Sequence, residues 1–249
     1  MSYVSTAMQF EVIRMLEDLK QLVNKANHSL PKFGLVTLTW GNASQIDREK
    51  GLFVIKPSGV PYEDLRAEDM VVVDLEGNQV EGRLRPSSDM PTHLELYKAF
   101  PEIGGIVHTH SSCATSWAQA GRAIPCYGTT HADYFYGEVP CLRCLTKEEI
   151  DDGYERNTGC LIVSELRRMN LSPAITPGVL CRNHGPFTWG ASAEDAVHCA
   201  VALEEIARMA FRTELISPSP MLAPEELQEK HYKRKHGPEA YYGQKAVLT

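Results

Sequence analysis

The sequence predicts a single α/β domain, and three observations carry that expectation. Segments with apolar residues at helical spacing alternate with short runs of β-branched residues bounded by turn signals. At 249 residues and 43% hydrophobic content, the chain can bury a sizeable core. No internal repeat or low-complexity tract divides it, so residues 1–249 read as one unit.

Each element has its own signal. Val12, Ile13, Leu16, Leu19, Val23 and Ala26 recur at helical spacing and predict a first helix. Strand-like runs follow at Leu35 to Thr39, Leu52 to Ile55 and Val71 to Leu75, the last ending in the Glu76-Gly-Asn turn. Pro91 suits the first position of a helix reaching Phe100, with Ser88 or Asp89 as N-cap. After a Gly-Gly break, Gly105-Ile-Val-His-Thr-His110 reads as a strand.

Capping boxes at Thr146-Lys-Glu-Glu149 and Ser192-Ala-Glu-Asp195 open two more helices, and Ala196, Ala200, Leu203, Ile206 and Ala207 share one face of the second. Between them Gly178 to Arg182 reads as a strand that delivers His184 to its end. Pro218, Pro220 and Pro224 form the one linker-like stretch. A polar helix from Glu225 to His236 follows, then a Gly- and Tyr-containing tail expected to pack against something.

Composition excludes several classes of function. With 25 Lys+Arg against 32 Asp+Glu the formal charge is −7, and no basic tract resembles a nucleic-acid footprint. The amino terminus lacks a basic region followed by an apolar one, and no run approaches the roughly 20 apolar residues of a membrane span. A cytoplasmic protein with no membrane partner is expected. The 7 cysteines sit mostly in apolar patterns and are expected to be reduced. Cys141-Leu-Arg-Cys144 has neither a second CxxC nor a thioredoxin-like context, and reads as structural.

The strongest chemical signal is His108-Thr-His110 with Asp89 before it and His184 after it. Period-2 alternation puts both strand histidines on one face. A third imidazole from elsewhere would leave a coordination position open for water or substrate, as in catalytic rather than structural zinc sites. An H-x-H pair in an apolar strand can also be two hydrogen-bonded core histidines, and that alternative stands beside the metal reading.

Anion-binding signals are of a different kind. Neither a Walker A run nor G-x-G-x-x-G occurs, so nucleotide cofactors lose their usual cradle. Instead Gly41-Asn42-Ala-Ser44, Lys56-Pro-Ser58-Gly59 and Ser87-Ser88 offer backbone N–H groups, hydroxyls and one ammonium that could hold a small phosphate. Each of these is also an ordinary turn composition.

Taken together, these segments resemble the L-ribulose-5-phosphate 4-epimerase family of the class II aldolase and epimerase superfamily, from about Met15 to Gln244. The resemblance rests on Leu35-Val-Thr-Leu-Thr-Trp-Gly-Asn42, Phe53-Val-Ile-Lys-Pro-Ser-Gly59, Pro86-Ser-Ser-Asp89, Ile103-Gly-Gly-Ile-Val-His-Thr-His110 and Gly128-Thr-Thr-His-Ala-Asp-Tyr-Phe-Tyr-Gly137. His184-Gly-Pro-Phe, Lys230-His-Tyr, Arg234-Lys-His-Gly and Ala240-Tyr-Tyr-Gly-Gln244 complete it.

The resemblance implies a three-layer α/β/α fold around a mainly antiparallel sheet. It also implies a C4 homotetramer with active sites between subunits, the tail from residue 225 to 249 reaching a neighbour. Zinc or another divalent ion is implied on His108, His110 and His184, with Asp89 as an additional ligand. Asn42, Lys56, Ser58, Gly59, Ser87 and Ser88 are implied around the phosphate of a small phosphosugar. Asp133 and Tyr242 are the candidate proton-transfer groups, the latter from the adjacent subunit, with Thr129, Glu155 and His231 in support.

The implied reaction is chemically sensible. No carbonyl acidifies C4 of a ketopentose, and a transient oxidation would need a nicotinamide site that the sequence does not present. Retro-aldol cleavage of C3–C4, rotation of glycolaldehyde phosphate and re-addition would invert C4 without redox chemistry. A class II aldolase, which stops after cleavage, is the nearest rival. In the resemblance those enzymes carry Glu where this chain has Asp89. A non-catalytic scaffold that keeps fold and metal is the rival from another class. Residues 1–14 extend beyond the family's usual start, as a longer first helix or an alternative initiation.

Overall fold

The computed structural model describes residues 3–237 and 240–241, with side chains from Leu16 onward. Seven strands form one sheet, β1 (Gly41–Asp47), β2 (Leu52–Ile55), β3 (Val71–Asp74), β4 (Gln79–Glu81), β5 (Gly105–Thr109), β6 (Gly178–Cys181) and β7 (Gly185–Gly190), in the order β4-β3-β2-β1-β5-β7-β6. All six ladders are antiparallel.

Alternation along the strands divides the core into two layers. Phe53, Ile55, Val71, Val73 and Ile106 face helices α2 (Met90–Ala99) and α6 (Tyr154–Arg168), whose Leu96, Tyr97, Leu161, Ile162 and Leu166 are buried against them. Val54, Val72 and Val107 face the other way, onto Val23, Ala26 and Leu30 of α1 (Tyr3–Lys32) and onto Ala196, Val197 and Ala200 of α7 (Ala193–Ile216). The result is the three-layer α/β/α arrangement, with Ile106 and, two residues on, His108 on the α2/α6 side.

Several local expectations agree with the structure. Thr146 accepts from Glu149 N at the start of α5 (Lys147–Asp151), and Ser192 accepts from Asp195 N at the start of α7. Helix α8 (Glu225–His236) has the bounds read from its charge pattern. Helix α1 runs unbroken through residues 3–14 into the periodic segment.

The run Leu35 to Thr39 is not a strand. Leu35 N donates to Leu30 O at 3.0 Å, tying the segment to the end of α1, and Leu38 lies at φ 53 in a turn that Trp40 N closes onto Thr37 O at 3.1 Å. Pairing begins at Gly41, where φ is 134 and a Cβ would meet Val36 Cγ1 at 2.7 Å and His108 O at 2.9 Å. β1 itself, Gly-Asn-Ala-Ser-Gln-Ile-Asp, looks like a loop by composition but has Asn42, Ala43 and Ser44 buried. The Gly-Gly break before β5 has a packing cause, because a side chain at Gly104 or Gly105 would run into the backbone of Ala191 to Ala193 at the start of α7.

Helix α3 (Ser112–Ala120) follows His110 directly and lacks a side-chain N-cap. The buried Glu204 carboxylate of α7 takes that place, accepting from Cys113 N at 2.9 Å and Ala114 N at 2.9 Å. Glu204→Ala should cost about 1–3 kcal/mol, the range for stripping acceptors from buried donors. A denaturant midpoint equal to that of the unaltered protein would remove this role.

Candidate active site

The ends of β5 and of the β6–β7 hairpin bring three histidines together. His108 and His110 leave one face of β5, with their Nε2 atoms 3.1 Å apart. His184 sits in the hairpin turn, where Asn183 at φ 61 reverses the chain and His184 N donates to Cys181 O at 3.0 Å. A ligand atom from each of the three lies within 4.8 Å of the others. Gly185 lets the hairpin press on β5, since a Cβ there would lie 2.8 Å from Thr109 O.

Electrostatics keep these rings neutral. Burial, with the neighbouring histidines adding to it, pushes His108 and His184 down to about 3, and burial also lowers His110 despite the opposing Asp89 carboxylate. His108 Nδ1 lies 2.9 Å from Pro186 O, so its proton is committed there and the Nε2 lone pair is turned to the cluster. His184 Nδ1 is buried with no hydrogen-bond partner among the described residues. Three neutral, converging imidazoles and an orphaned nitrogen fit a divalent cation, and leave a pair of merely hydrogen-bonded core histidines poorly explained.

Asp89 is the N-cap of α2 by position but makes no capping hydrogen bond. Its Oδ2 instead accepts from Asn42 Nδ2 at 2.7 Å, and Asn42 also donates to Ser87 Oγ at 3.0 Å. Asn42 lies opposite His108 in the β1–β5 register, which carries the carboxylate to the histidines' side. Asp89 lines their pocket without joining the tight three-atom cluster.

Two loops that were separate signals in sequence are one structure in space. Ser87 N donates to Lys56 O at 2.9 Å and Ser58 N to Arg85 O at 3.0 Å, zipping residues 56–59 to residues 85–88. The buried Lys56 ammonium rests on Val60 O at 2.8 Å and over the Tyr62 ring at 5.0 Å. Burial lowers its pKa to about 8. Ser44 takes no part, since its hydroxyl lies 2.7 Å from both His93 Nδ1 and Tyr97 OH on the buried side.

One cavity of about 490 Å³ joins these parts. Asn42, Lys56, Ser58, Gly59, Ser87, Ser88, Asp89, His108, His110, Glu155 and His184 line it, together with Thr39, Trp40, Pro57 and Tyr154. Trp40 and Tyr154 were not among the site residues expected from the sequence, although Trp40 lies in the motif Leu35 to Asn42 and Tyr154 is the immediate neighbour of Glu155. Tyr154 brings its ring centroid to 5.7 Å from that of His184.

Asp133, Thr129 and His231 are placed apart from this cavity. Thr129 opens α4 (Thr129–Ala132) and lines a different hollow with Tyr127, Met209 and Met221. Asp133 follows α4 and is gripped by α8, accepting from Arg234 Nε at 2.9 Å and Arg234 Nη2 at 2.6 Å, with His231 Nδ1 at 3.0 Å. Burial works against its ionisation, but the hydrogen bonds from Arg234 and His231 outweigh it and hold the carboxyl below its ordinary range. Within one chain, therefore, the C-terminal helix packs on Asp133. Tyr242 lies outside the described residues.

The family profile described as "Class II Aldolase and Adducin N-terminal domain" matches residues 21–211. The chain is 57% identical over 230 residues to L-ribulose-5-phosphate 4-epimerase UlaF of Salmonella paratyphi B, spanning 92% of this chain and 100% of that one. Among solved structures it is similar to an L-fuculose 1-phosphate aldolase at 27% identity and TM-score 0.73, covering 87% of this chain and 95% of the other. An L-fuculose-1-phosphate aldolase from Thermus thermophilus is 25% identical with TM-score 0.65, covering 82% and 98%. No helix among the described residues is long and apolar enough to cross a membrane. On this sheet topology, the histidine cluster and the profile match, the chain belongs to the class II aldolase family.

Proposed function

We propose that the chain is a metal-dependent 4-epimerase that interconverts L-ribulose 5-phosphate and D-xylulose 5-phosphate. The observation that carries this is the single cavity joining three neutral histidines to the zipped loops 56–59 and 85–88. The 57% identity to a 4-epimerase supports the choice of substrate.

His108, His110 and His184, with Asp89 beside them, would hold a divalent ion, zinc in this reading. When bound, the ion supplies Lewis acidity at the C2–C3 oxygens of the sugar. Lys56, Ser58, Gly59, Ser87, Ser88 and Asn42 anchor the phosphate, so that C3–C4 cleavage leaves glycolaldehyde phosphate tethered while its aldehyde rotates. Re-addition to the opposite face then inverts C4. Asp133 and Tyr242 are the proton-transfer groups at the C4 oxygen, an ionised carboxylate suiting the base and a phenol the acid. Thr129 and His231 support Asp133, and Glu155 faces the substrate from the first turn of α6.

Because Asp133 does not line the cavity of its own chain, this scheme requires Asp133, its α8 partners and the tail with Tyr242 to reach the cavity of a neighbour. A C4 homotetramer supplies that arrangement. The exposed apolar side chains of Phe211, Leu215, Ile216, Met221 and Leu222 offer surface for such assembly. Seven free cysteines fit an enzyme of the reducing cytoplasm.

The deciding experiment follows D-xylulose 5-phosphate formed from L-ribulose 5-phosphate by purified, metal-analysed protein, with and without a chelator. Chelator-sensitive conversion is expected. Free glycolaldehyde phosphate would make the protein an aldolase, and no turnover with metal and oligomer intact would make it a scaffold.

Lys56 gives the reaction a pH signature. Its lowered pKa of about 8 means that the ammonium is present at neutral pH and is lost as pH rises. The profile of kcat/KM, which reports the free enzyme, should therefore fall on the alkaline side with a midpoint about 8, while kcat stays flatter once phosphate holds the charge. Lys56→Gln should raise KM and abolish that limb. An alkaline limb surviving in the variant would remove Lys56 from phosphate binding.

A further inference from the structure

Beneath the cavity lies a buried polar relay that the epimerase scheme leaves unused. His93 of α2 is completely buried, with Nδ1 2.7 Å from Ser44 Oγ, which in turn is 2.7 Å from Tyr97 OH. Its other nitrogen, Nε2, has no partner among the described residues. A buried polar group left unpaired carries the full cost of its lost hydration. A fold that keeps one either forgoes that stability or reserves the group for a partner of the working enzyme.

The surroundings indicate where it is aimed. His93 N donates to Asp89 O at 3.1 Å, which places the two residues one turn apart on the same face of α2. Asp89 Oδ2 is taken by Asn42, and its second oxygen carries no hydrogen bond among the described residues. On the other side, His93 meets Phe187 edge-on with centroids 6.3 Å apart, and Phe187 stacks under His108 at 4.1 Å and 16°. Burial keeps the His93 ring neutral, with the Asp89 carboxylate acting in the opposite sense. If Tyr97 donates to Ser44 and Ser44 to His93 Nδ1, the ring proton resides on Nε2, a donor suited to a carboxylate.

We propose that His93 is a positioning residue whose Nε2 addresses the Asp89 carboxylate through one water and sets its orientation beside the three histidines. The proposal rests on reading the cavity as the epimerase site.

Two amide variants, each keeping the polar position of one ring nitrogen, separate this role from packing. In His93→Asn the amide stands near the place of Nδ1 and nothing replaces Nε2, whereas in His93→Gln the amide stands near the place of Nε2. Each would be measured for Zn²⁺ affinity by chelator competition, for kcat at saturating metal and substrate, and for unfolding midpoint. H93N is expected to lose about tenfold or more in metal affinity or kcat, the usual cost of removing a partner that orients a ligand, while H93Q stays within about threefold. Equal losses in both variants, or none in H93N, would overturn the proposal. Should either fail to fold, Ser44→Ala keeps the ring but frees it. A loss in the same two readouts is then expected, and wild-type values would be equally fatal. Metal affinity needs no turnover, so failure of the relay is distinguishable from failure of the epimerase reading, which the unaltered protein alone decides.

Discussion

Replacing His110 with alanine should remove the divalent ion and the epimerase activity together. His108 and His110 present their Nε2 atoms 3.1 Å apart from one face of β5, and His184 completes a set within 4.8 Å. Without His110 the two remaining imidazoles cannot close a three-nitrogen site, and Asp89 stands outside the tight cluster. Charge stabilisation by a catalytic ion is worth several kcal/mol, so kcat should fall by about a thousandfold or more. Metal content after gel filtration should drop from one equivalent to a small fraction. The folded state should survive, because the His110 side chain sits in the pocket wall rather than in either hydrophobic layer. A purified variant still carrying a full equivalent of metal would refute the ligand set.

The second large effect concerns Asp133, and it tests where the active site is assembled. Asp133→Asn should abolish epimerisation while leaving metal content intact, since Asp133 touches α8 and not His108, His110 or His184. If the reacting Asp133 belongs to the neighbouring subunit, inactive D133N and inactive H110A should complement each other when their subunits are mixed. Random exchange at equal amounts would give sites with both residues intact about a quarter of the time in a cyclic assembly. Activity regained on mixing is the expected result. No recovery, with subunit exchange verified by differently tagged chains, would place the whole site within one subunit and break the scheme.

The same variant carries a pH-linked cost in stability. Asp133 has its pKa lowered in the folded state by Arg234 and His231 working against burial, so it contributes stability above its ordinary value of 3.8, lost progressively as pH falls through the lowered value. In D133N that part of the acid sensitivity should be missing.

Legibility in sequence followed the range of the interaction. His108 and His110 could be assigned to one face because a strand alternates with period 2 whatever packs around it. The helix starts at Thr146 and Ser192 were readable because a capping box is complete within four residues. The run from Leu35 to Thr39 misled for the converse reason: its β-branched residues suit a strand, but the end of α1 and the close approach of Gly41 to His108 O hold it in a turn. The polar β1 was hidden because its buried Asn42 amide NH2 and Ser44 hydroxyl find partners in Ser87, Asp89, His93 and Tyr97, between 45 and 53 positions away.

By itself, then, the sequence determined the alternation of helices and strands, the three imidazole donors and the polar loops able to face an anion, since these follow from local periodicity and residue chemistry. Only the tertiary structure decided that those loops zip into one wall, that Asp89 turns from capping α2 to Asn42, and that Asp133 is gripped by α8 away from His108, His110 and His184 of its own chain. Those outcomes depend on hydrogen bonds and packing between segments far apart in the chain, which leave no periodic trace in the residues that make them.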